Sequence, residues 1–178
     1  MSGFETPEDK TELRKRLDFD DARLIAECEV HRHRSGGPGG QHRNKVSSAI
    51  RLFHRPSEIT VIANESRLQG ENSARAVKRL REAIALVARA PLPEQIAWPP
   101  TVQFRQGKLR VSEENPAIHH VLALVLDAFA HFNGRLSEAA EALGITSSNL
   151  TKFLRDHPKA WREACRIREQ AGLPPLKA

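Results

Sequence analysis

The chain of 178 residues lacks the features that define several large classes of protein. Its two cysteines, Cys28 and Cys165, are far apart and too few for a disulfide-rich secreted domain, so we expect both thiols to be reduced. No run of the ~18 apolar residues that a membrane helix needs occurs in the sequence. The N-terminal residues have neither an apolar signal core nor the Arg-rich, acid-poor character of an organelle presequence. We therefore expect a cytoplasmic protein without membrane association.

Acidic residues are missing from one long stretch of the chain. Between Val30 and Ser57 there is no Asp or Glu, whereas Arg, Lys and His recur throughout. The formal net charge of the whole chain is +6. A basic, acid-free stretch of this kind favours a polyphosphate partner, and RNA fits it best.

Signals for a metal or a nucleotide cofactor are also missing. Cys28, His31 and His33 have the residue types of a zinc site, but in a strand the cysteine would point to one face and the histidines to the other. The glycine-rich stretch lacks the Gly-Lys-Ser/Thr of a Walker loop and the glycine spacing of a dinucleotide-binding loop. We therefore expect no metal and no cofactor, a buried thiol at Cys28 and phosphate-facing imidazoles.

The pattern of the N-terminal half predicts a small α+β domain of about three strands with a long packing helix. Strands are predicted over 23–34, 47–54 and 58–64, and Pro56 lies in the turn that joins the last two as a hairpin. From 69 to 90 the period becomes helical. The inner face of the first strand is predicted to carry Leu24, Ala26, Cys28 and Val30. The inner face of the second is predicted to carry Ile50 and Leu52. The apolar stripe of the helix is predicted to be Ala74, Val77, Leu80, Ile84 and Val87.

The C-terminal half predicts a separate all-α module. Helices are indicated after Asn115, which would cap one with Pro116 at its first position, and Pro158 would open the last. The pattern as a whole divides the chain into a charged N-terminal segment (1–17), the α+β domain (18–90), a Pro-rich linker with a predicted hairpin (91–114) and the helical module (115–178).

Part of the helical module has the spacing of a helix-turn-helix. Ala140 would pack beneath the second helix, Gly144 would make the turn and Thr146 would cap the second helix. Its second helix is predicted to expose Ser147, Ser148, Asn149, Lys152 and Arg155. We treat Ser147, Asn149, Lys152 and Arg155 as a candidate second nucleic-acid surface. The alternative is that these apolar spacings only reflect the packing of a three-helix bundle.

Residues 34–45 place Gly39-Gly40-Gln41 at the tip of a glycine-rich, basic loop. This stretch reads Arg34-Ser-Gly-Gly-Pro-Gly-Gly-Gln-His-Arg-Asn-Lys45. With Ser48-Ala-Ile-Arg-Leu52, Glu65-Ser-Arg-Leu-Gln69 and Asn72, it resembles the catalytic domain of class I peptide chain release factors, over roughly residues 18–90. The resemblance is nearest to the codon-independent ribosome-rescue members of that family. Glu58 stands where the family's turn often has glycine.

The resemblance implies hydrolysis of the ester that joins a nascent peptide to transfer RNA, an activity expected only on the ribosome. It implies that Gln41 is catalytic and that Gly39 and Gly40 allow its close approach to the reacting ester. The surrounding residues are expected to bind ribosomal RNA: Arg34, His42, Arg43, Asn44 and Lys45. Arg67, Gln69 and Asn72 are expected to brace the domain.

The partners implied by the resemblance are the ribosome, at the peptidyl-transferase centre of its large-subunit RNA, and peptidyl-tRNA. Gln41 would be methylated on its side-chain amide by a glutamine methyltransferase, and we expect a monomer. The chain has too few residues for the stop-codon-reading domains of a full-length factor, so we expect codon-independent action. The alternative function is a nucleic-acid-binding regulator that acts through the helix-turn-helix.

Overall fold

The structure, a computed structural model, describes residues 7–33 and 48–177, with side chains from residue 9 onward. It divides the chain into two compact units, Met1–Ile84 and Ala85–Ala178, and the division falls within a long helix. In the described part of the chain, every helix is too short or too polar to cross a lipid bilayer.

The first unit is an antiparallel sheet with helices. Its elements are α1 (Pro7–Lys15), α2 (Asp21–Ala26), β1 (Cys28–His33), β2 (Ala49–His54), β3 (Ile59–Ala63) and α3 (Gln69–Val87). The strands lie in the order β1-β2-β3, so β2 is central. The three-stranded sheet and its packing helix confirm the predicted α+β class.

The prediction of a strand from residue 23 is wrong for its first part, because this part belongs to α2. The side chain of Asp20 caps that helix by accepting a 2.7 Å hydrogen bond from the backbone N–H of Arg23. Leu24 is fully buried, and the thiol of Cys28 donates to its carbonyl at 3.3 Å. A helix of six residues is too short to show a 3.6-residue period, so its apolar residues imitated strand alternation. Val30 was predicted to face inward but is 43% exposed, on an edge strand.

The predicted hairpin of β2 and β3 is confirmed. Ile50 and Leu52 are each 1% exposed, and Ile50 is paired with Ala63 across the ladder. A short 3₁₀ turn, Arg55–Ser57, joins the strands. Glu58 then has φ of +53°, a left-handed conformation that glycine adopts without strain. This geometry accounts for the glycine that related turns often have at this position.

Helix α3 ends at Val87, three residues before the predicted end. Its buried apolar residues are Ala76, Val77, Leu80, Ile84 and Ala85. The predicted members Ala74 and Val87 are exposed. The guanidinium of Arg81 donates to the carbonyls of Leu17 (3.0 Å) and Phe19 (2.7 Å), and thereby fixes the segment between α1 and α2 to α3.

The second unit consists of a small hairpin and four helices. Its elements are β4 (Gln103–Arg105), β5 (Lys108–Arg110), α4 (Ile118–His131), α5 (Leu136–Ala142), α6 (Ser147–Asp156) and α7 (Pro158–Gln170). Helix α4 is buried along most of its length and contacts α5 and α7. It begins two residues after the predicted Pro116, and the Asn115 side chain accepts a 2.9 Å hydrogen bond from the N–H of Ala117 before the helix starts. The predicted cap of α6 is confirmed, since Thr146 accepts from the N–H of Asn149 at 3.2 Å.

The β4–β5 hairpin packs against the start of α6. The side chain of Asn149 accepts from the N–H of Leu109 at 2.8 Å and donates to the carbonyl of the same residue at 3.2 Å. The N–H of Thr146 donates to the carbonyl of Gly107 at 3.1 Å. Leu109 is only 3% exposed. The hairpin predicted within the Pro-rich segment is therefore an ordered part of the second unit.

An ion pair within the second unit is largely removed from solvent. Arg89 donates to Glu163 at 2.6 Å, and each side chain is 14% exposed. Arg89 also donates to the carbonyl of Leu86 at 2.7 Å, near the end of α3. Glu163 is further held by Arg166 at 2.6 Å. Burial lowers the pKa of Arg89 despite the neighbouring carboxylate.

The two thiols have different environments. Cys28 is buried, and burial raises its pKa to about 11, so it stays a neutral thiol at physiological pH. Cys165 is half-buried on α7. No group of three or more His, Cys, Asp or Glu within residues 7–33 and 48–177 is arranged to hold a metal ion.

Candidate catalytic and RNA-binding site

The segment that carries the Gly-Gly-Gln tripeptide runs between two paired strands. His33, the last residue of β1, is paired with Ala49, the first residue of β2. All of the predicted catalytic and loop residues lie outside the described part of the chain: Arg34, Gly39, Gly40, Gln41, His42, Arg43, Asn44 and Lys45. The structure therefore defines the two ends from which this segment starts and to which it returns.

The outer face of the sheet next to these ends carries basic and imidazole side chains, together with Glu29, whose Oε2 lies 3.6 Å from His31 Nε2. His31 and His33 are exposed and stack with ring centroids 6.3 Å apart and an interplanar angle of 14°. Arg51 is exposed on the same face, because it is directly paired with His31 across the ladder. Cys28 is buried instead, as expected from strand alternation.

The sequence interpretation expected phosphate-facing imidazoles at His31 and His33 but did not assign Arg51 to the same surface. The alternation of β2 contained the needed signal, because inward Ile50 and Leu52 require Arg51 to point outward. We call His31, His33 and Arg51 the outer basic strip.

Asn72 holds the returning end of the segment in place. Its side-chain amide donates to the carbonyl of Ser48 at 2.7 Å and to that of Ser66 at 2.9 Å, and its oxygen accepts from the N–H of Ser66 at 2.9 Å. Asn72 is fully buried, and Ser48 is 5% exposed. The expected bracing role of Asn72 thus has a specific form: it joins the first described residue after the loop to the start of α3.

Replacing Asn72 by alanine is expected to lower the free energy of unfolding by about 1–3 kcal/mol, because the carbonyl of Ser48 would be left buried, and the groups of Ser66 half-buried, without these hydrogen bonds. Asn72→Asp is the matched variant, since a carboxylate accepts from Ser66 but cannot donate to Ser48. Urea denaturation measures the free energy of unfolding of both variants. Equal stability of Asn72→Ala and the parent protein would contradict the bracing role.

A buried histidine on β2 links the C-terminal end of α2 to the turn before β3. His54 is fully buried, with Nε2 2.9 Å from Glu27 Oε2 and Nδ1 2.6 Å from Ser57 Oγ. Because the carboxylate is an acceptor, Nε2–H donates to Glu27 and Nδ1 accepts from the Ser57 hydroxyl. Ser57 is only 9% exposed and its oxygen accepts from the N–H of Ile59 at 3.4 Å, so this Ser-His-Glu array is a structural brace.

Burial is the largest cause of a lowered pKa at His54, and also at His157 in the second unit. A histidine with a lowered pKa in the folded state stabilises the fold above its unfolded pKa of ~6.5, and this contribution is lost as the pH falls below that value. Glu65 and Glu163 have lowered pKa values too, but they titrate below about pH 4.5.

We expect the free energy of unfolding to fall between pH 7.5 and pH 5.5 by up to about 1.4 kcal/mol for each of these two histidines. Urea denaturation at the two pH values measures it. The double variant His54→Asn, His157→Asn should lose this pH dependence, whereas His131→Asn, at an exposed position, should keep it. An unchanged pH dependence in the double variant would refute the assignment.

The candidate second surface on α6 is only partly exposed. Lys152 and Arg155 are exposed, as is Ser148, but Ser147 and Asn149 are half-buried. Asn149 uses both atoms of its amide on the backbone of Leu109, so the prediction that this side chain is exposed is wrong. The contact comes from a hairpin forty residues earlier in the chain, which no local pattern signals.

Comparisons with known proteins place this site in context. Residues 24–106 match the RF-1 domain model. Peptide chain release factor 1 of Acidiphilium cryptum is 30% identical over 140 residues, which cover 69% of this chain and 39% of the relative. Peptide chain release factor 1 of Chloroherpeton thalassium is 45% identical over 64 residues, which cover 36% of this chain and 18% of the relative. Peptide chain release factor 2 of Paramagnetospirillum magneticum is 45% identical over 56 residues, which cover 32% of this chain and 15% of the relative.

The chain spans less than half the length of each of these relatives. The matched range includes the Gly-Gly-Gln segment, the three-stranded sheet and all of α3. Residues 24–106, which carry the Gly-Gly-Gln tripeptide, therefore belong to the RF-1 domain family, the catalytic domain of class I peptide chain release factors.

Proposed function

We propose that this protein is a translation release factor that hydrolyses peptidyl-tRNA on the ribosome without reading a stop codon. The observation that carries the proposal is Gly39-Gly40-Gln41 within an RF-1 domain, on a segment whose two ends are held by the β1–β2 ladder and by Asn72. The activity would require the ribosome, because the resemblance to release factors places the Gly-Gly-Gln tripeptide at the ester only within the peptidyl-transferase centre.

In the proposed reaction, water attacks the ester carbonyl carbon of peptidyl-tRNA. The bond to the ribose oxygen of the terminal adenosine breaks, a proton passes to that oxygen, and the products are a peptide carboxylate and a transfer RNA with a restored hydroxyl group. The backbone N–H of Gln41 would stabilise the negative charge that develops on the carbonyl oxygen, while its side chain would position the attacking water and exclude larger nucleophiles. Gly39 and Gly40 would allow the backbone to approach the ester.

The remaining loop residues would bind ribosomal RNA. Arg34, His42, Arg43, Asn44 and Lys45 provide cationic and amide donors for phosphates and base edges. The outer basic strip extends this set onto the rigid sheet, next to the two ends of the segment. The binding energy of the strip would orient the segment in the peptidyl-transferase centre.

Codon independence is supported by the content of the described second unit. Residues 85–178 fold into a hairpin and helices with basic residues of their own on α6 and α7, which offers an RNA-binding surface that does not depend on a codon. We expect equal rates of peptide release from ribosome complexes with a stop codon, a sense codon or no codon in the decoding site. Single-turnover release of a labelled peptide measures these rates.

Release restricted to the stop-codon complex would refute codon independence but keep the release activity. Absence of release from all three complexes, with co-sedimentation retained, would refute the hydrolase proposal itself. The three complexes therefore test the two parts of the proposal separately.

We also propose that Gln41 is methylated on its side-chain amide by a glutamine methyltransferase. The acceptor tripeptide supports this, and a methyl group would add apolar contact area at the tip of the segment. The intact mass of protein purified from its native host, with peptide mapping around residue 41, tests it. An unmodified mass would refute methylation.

The alternative function, transcriptional regulation through α6, is disfavoured by one contact. A recognition helix reads duplex DNA with residues near its N-terminus. Here the β4–β5 hairpin lies against that end of α6 and engages Asn149 and Thr146. A salt-resistant, sequence-restricted footprint on genomic fragments would nevertheless establish a regulator.

A further inference from the structure

The corner between α6 and α7 forms a concave surface with the chemistry of a nucleotide site. A depression of about 280 Å³ is lined by Arg155, Pro158, Trp161 and Arg162. We call it the α6–α7 notch. The volume of the notch is slightly below the roughly 300–1,000 Å³ of pockets that bind small organic ligands. A depression of this size can accept one flat ring system.

The helical register explains why these four residues meet. Arg155 lies in the last turn of α6, and α7 begins at Pro158, directly after the corner residue His157. Pro158, Trp161 and Arg162 then share one face of α7, at spacings of three and four residues. The ring of His157 is buried and packs on Phe153 with centroids 4.5 Å apart, which fixes the corner.

The guanidinium groups of the notch are available for a ligand. Arg155 and Arg162 are exposed, and neither has an ion-pair partner among the described residues. Lys152 and Lys159 are exposed nearby in sequence and add to the positive charge. Two acids, Glu113 and the exposed Asp156, act electrostatically on the corner residue His157, and Glu163 is turned to Arg89 and Arg166.

Trp161 lets the notch select a ligand with an aromatic base, which positive charge alone cannot do. The indole is half-buried, so part of its surface faces the depression. An exposed aromatic ring between cations is the arrangement that binds an unstacked base between two phosphates. A duplex presents no such base, and the start of α6 is occupied by the hairpin.

We propose that the α6–α7 notch binds one nucleotide of single-stranded RNA. The base stacks on Trp161, and Arg155 and Arg162 hold the flanking phosphates. The inference rests on the proposed function, because action on the ribosome decides which RNA is bound. There, the single strand belongs to messenger RNA or ribosomal RNA. It assigns the contact to the corner of α6 and α7, whereas the sequence interpretation placed the second surface on α6 alone.

The test uses the full chain and a fluorescein-labelled ten-residue oligouridylate. Trp161→Ala should weaken binding by roughly 5- to 150-fold, the range expected for loss of one base–aromatic stack, while Trp161→Phe should retain most of the affinity. In a Trp98→Phe background, Trp161 is the sole tryptophan, so quenching of its emission by unlabelled oligouridylate reports directly on the notch.

The arginines are tested by the salt dependence of binding. Arg155→Ala with Arg162→Ala should reduce the slope of log affinity against log salt by about 1.4, since each single-strand phosphate contact contributes ~0.7. Arg135→Ala with Lys177→Ala removes the same charge from exposed residues outside the notch and should leave the slope unchanged. Both arginine positions of the notch are exposed, so these variants should fold normally.

The proposal is overturned by unquenched Trp161 emission, by parental affinity in Trp161→Ala, or by an equal loss in the charge-matched control. Tighter binding of a duplex than of the single strand would also overturn it. Gln41→Ala should bind oligouridylate like the parent protein. A failure of peptide release in that variant is therefore distinguishable from a failure of the notch.

Discussion

Replacement of Gln41 by alanine is expected to lower the rate of peptide release from stalled ribosomes by at least about 100-fold, because water would no longer be positioned at the ester. Gly40→Ala should have a similar effect, since a Cβ at this position opposes the approach of the backbone. Co-sedimentation with ribosomes should remain close to that of the parent, because the tip provides few of the phosphate contacts.

Gln41→Pro, compared with Gln41→Ala, separates the contribution of the backbone N–H from that of the side-chain amide. Proline removes the backbone N–H as well as the amide side chain, so its loss of activity should exceed that of Gln41→Ala. Gln103→Ala, at an exposed position of β4 within the matched domain, is the control for a glutamine-to-alanine change. Undiminished release by Gln41→Ala and Gly40→Ala would exclude the tripeptide from catalysis.

Breaking the Arg89–Glu163 pair is expected to cost about 3–5 kcal/mol of the free energy of unfolding of the second unit, because a largely buried charge would lose its most buried partner. After Arg89→Ala, Glu163 would keep only the more exposed Arg166. Either Arg89→Ala or Glu163→Ala should show this loss in urea denaturation. The two losses should not add in the double variant, since both remove the same interaction.

Two further variants test whether the loss of stability comes from the burial of the charges or from the loss of an ion pair as such. Arg89→Met with Glu163→Met should recover part of the lost stability, because neither charge of the pair is then left buried without the other. Glu138→Ala removes the partner of Arg135, an exposed pair, and should change stability by less than about 1 kcal/mol. Equal effects of Glu138→Ala and Glu163→Ala would contradict the importance of burial.

The sequence predicted those strands and helices that bury one face over enough residues for the apolar positions to show the period of the element. Strands β2 and β3 met this condition, and Ile50 and Leu52 were placed correctly. Helix α2 did not meet it, because six residues complete fewer than two turns and the decisive interaction is the cap at Asp20. The period identified α3 as well, although its buried stripe includes Ala76, which the prediction omitted.

Long-range contacts explain what the sequence could not reveal about the candidate sites. Asn149 appears exposed on an isolated helix, but the hairpin at Leu109 occupies it. Asn72 was expected to brace the domain, yet its partner Ser48 lies 24 residues away and could not be named. The α6–α7 notch depends on the angle between two helices, which no spacing within either helix specifies.

The unequal thiols give this protein a single natural position for chemical labelling. Maleimides and iodoacetamides react with thiolates, and a thiol with a pKa of about 11 supplies almost none at neutral pH, so Cys28 should resist them while the fold is intact. Cys165 lies one helical turn beyond Trp161 on the same face of α7. A dye attached there without any mutation would sit beside the indole, and alkylation of Cys28 would begin only when the first unit opens.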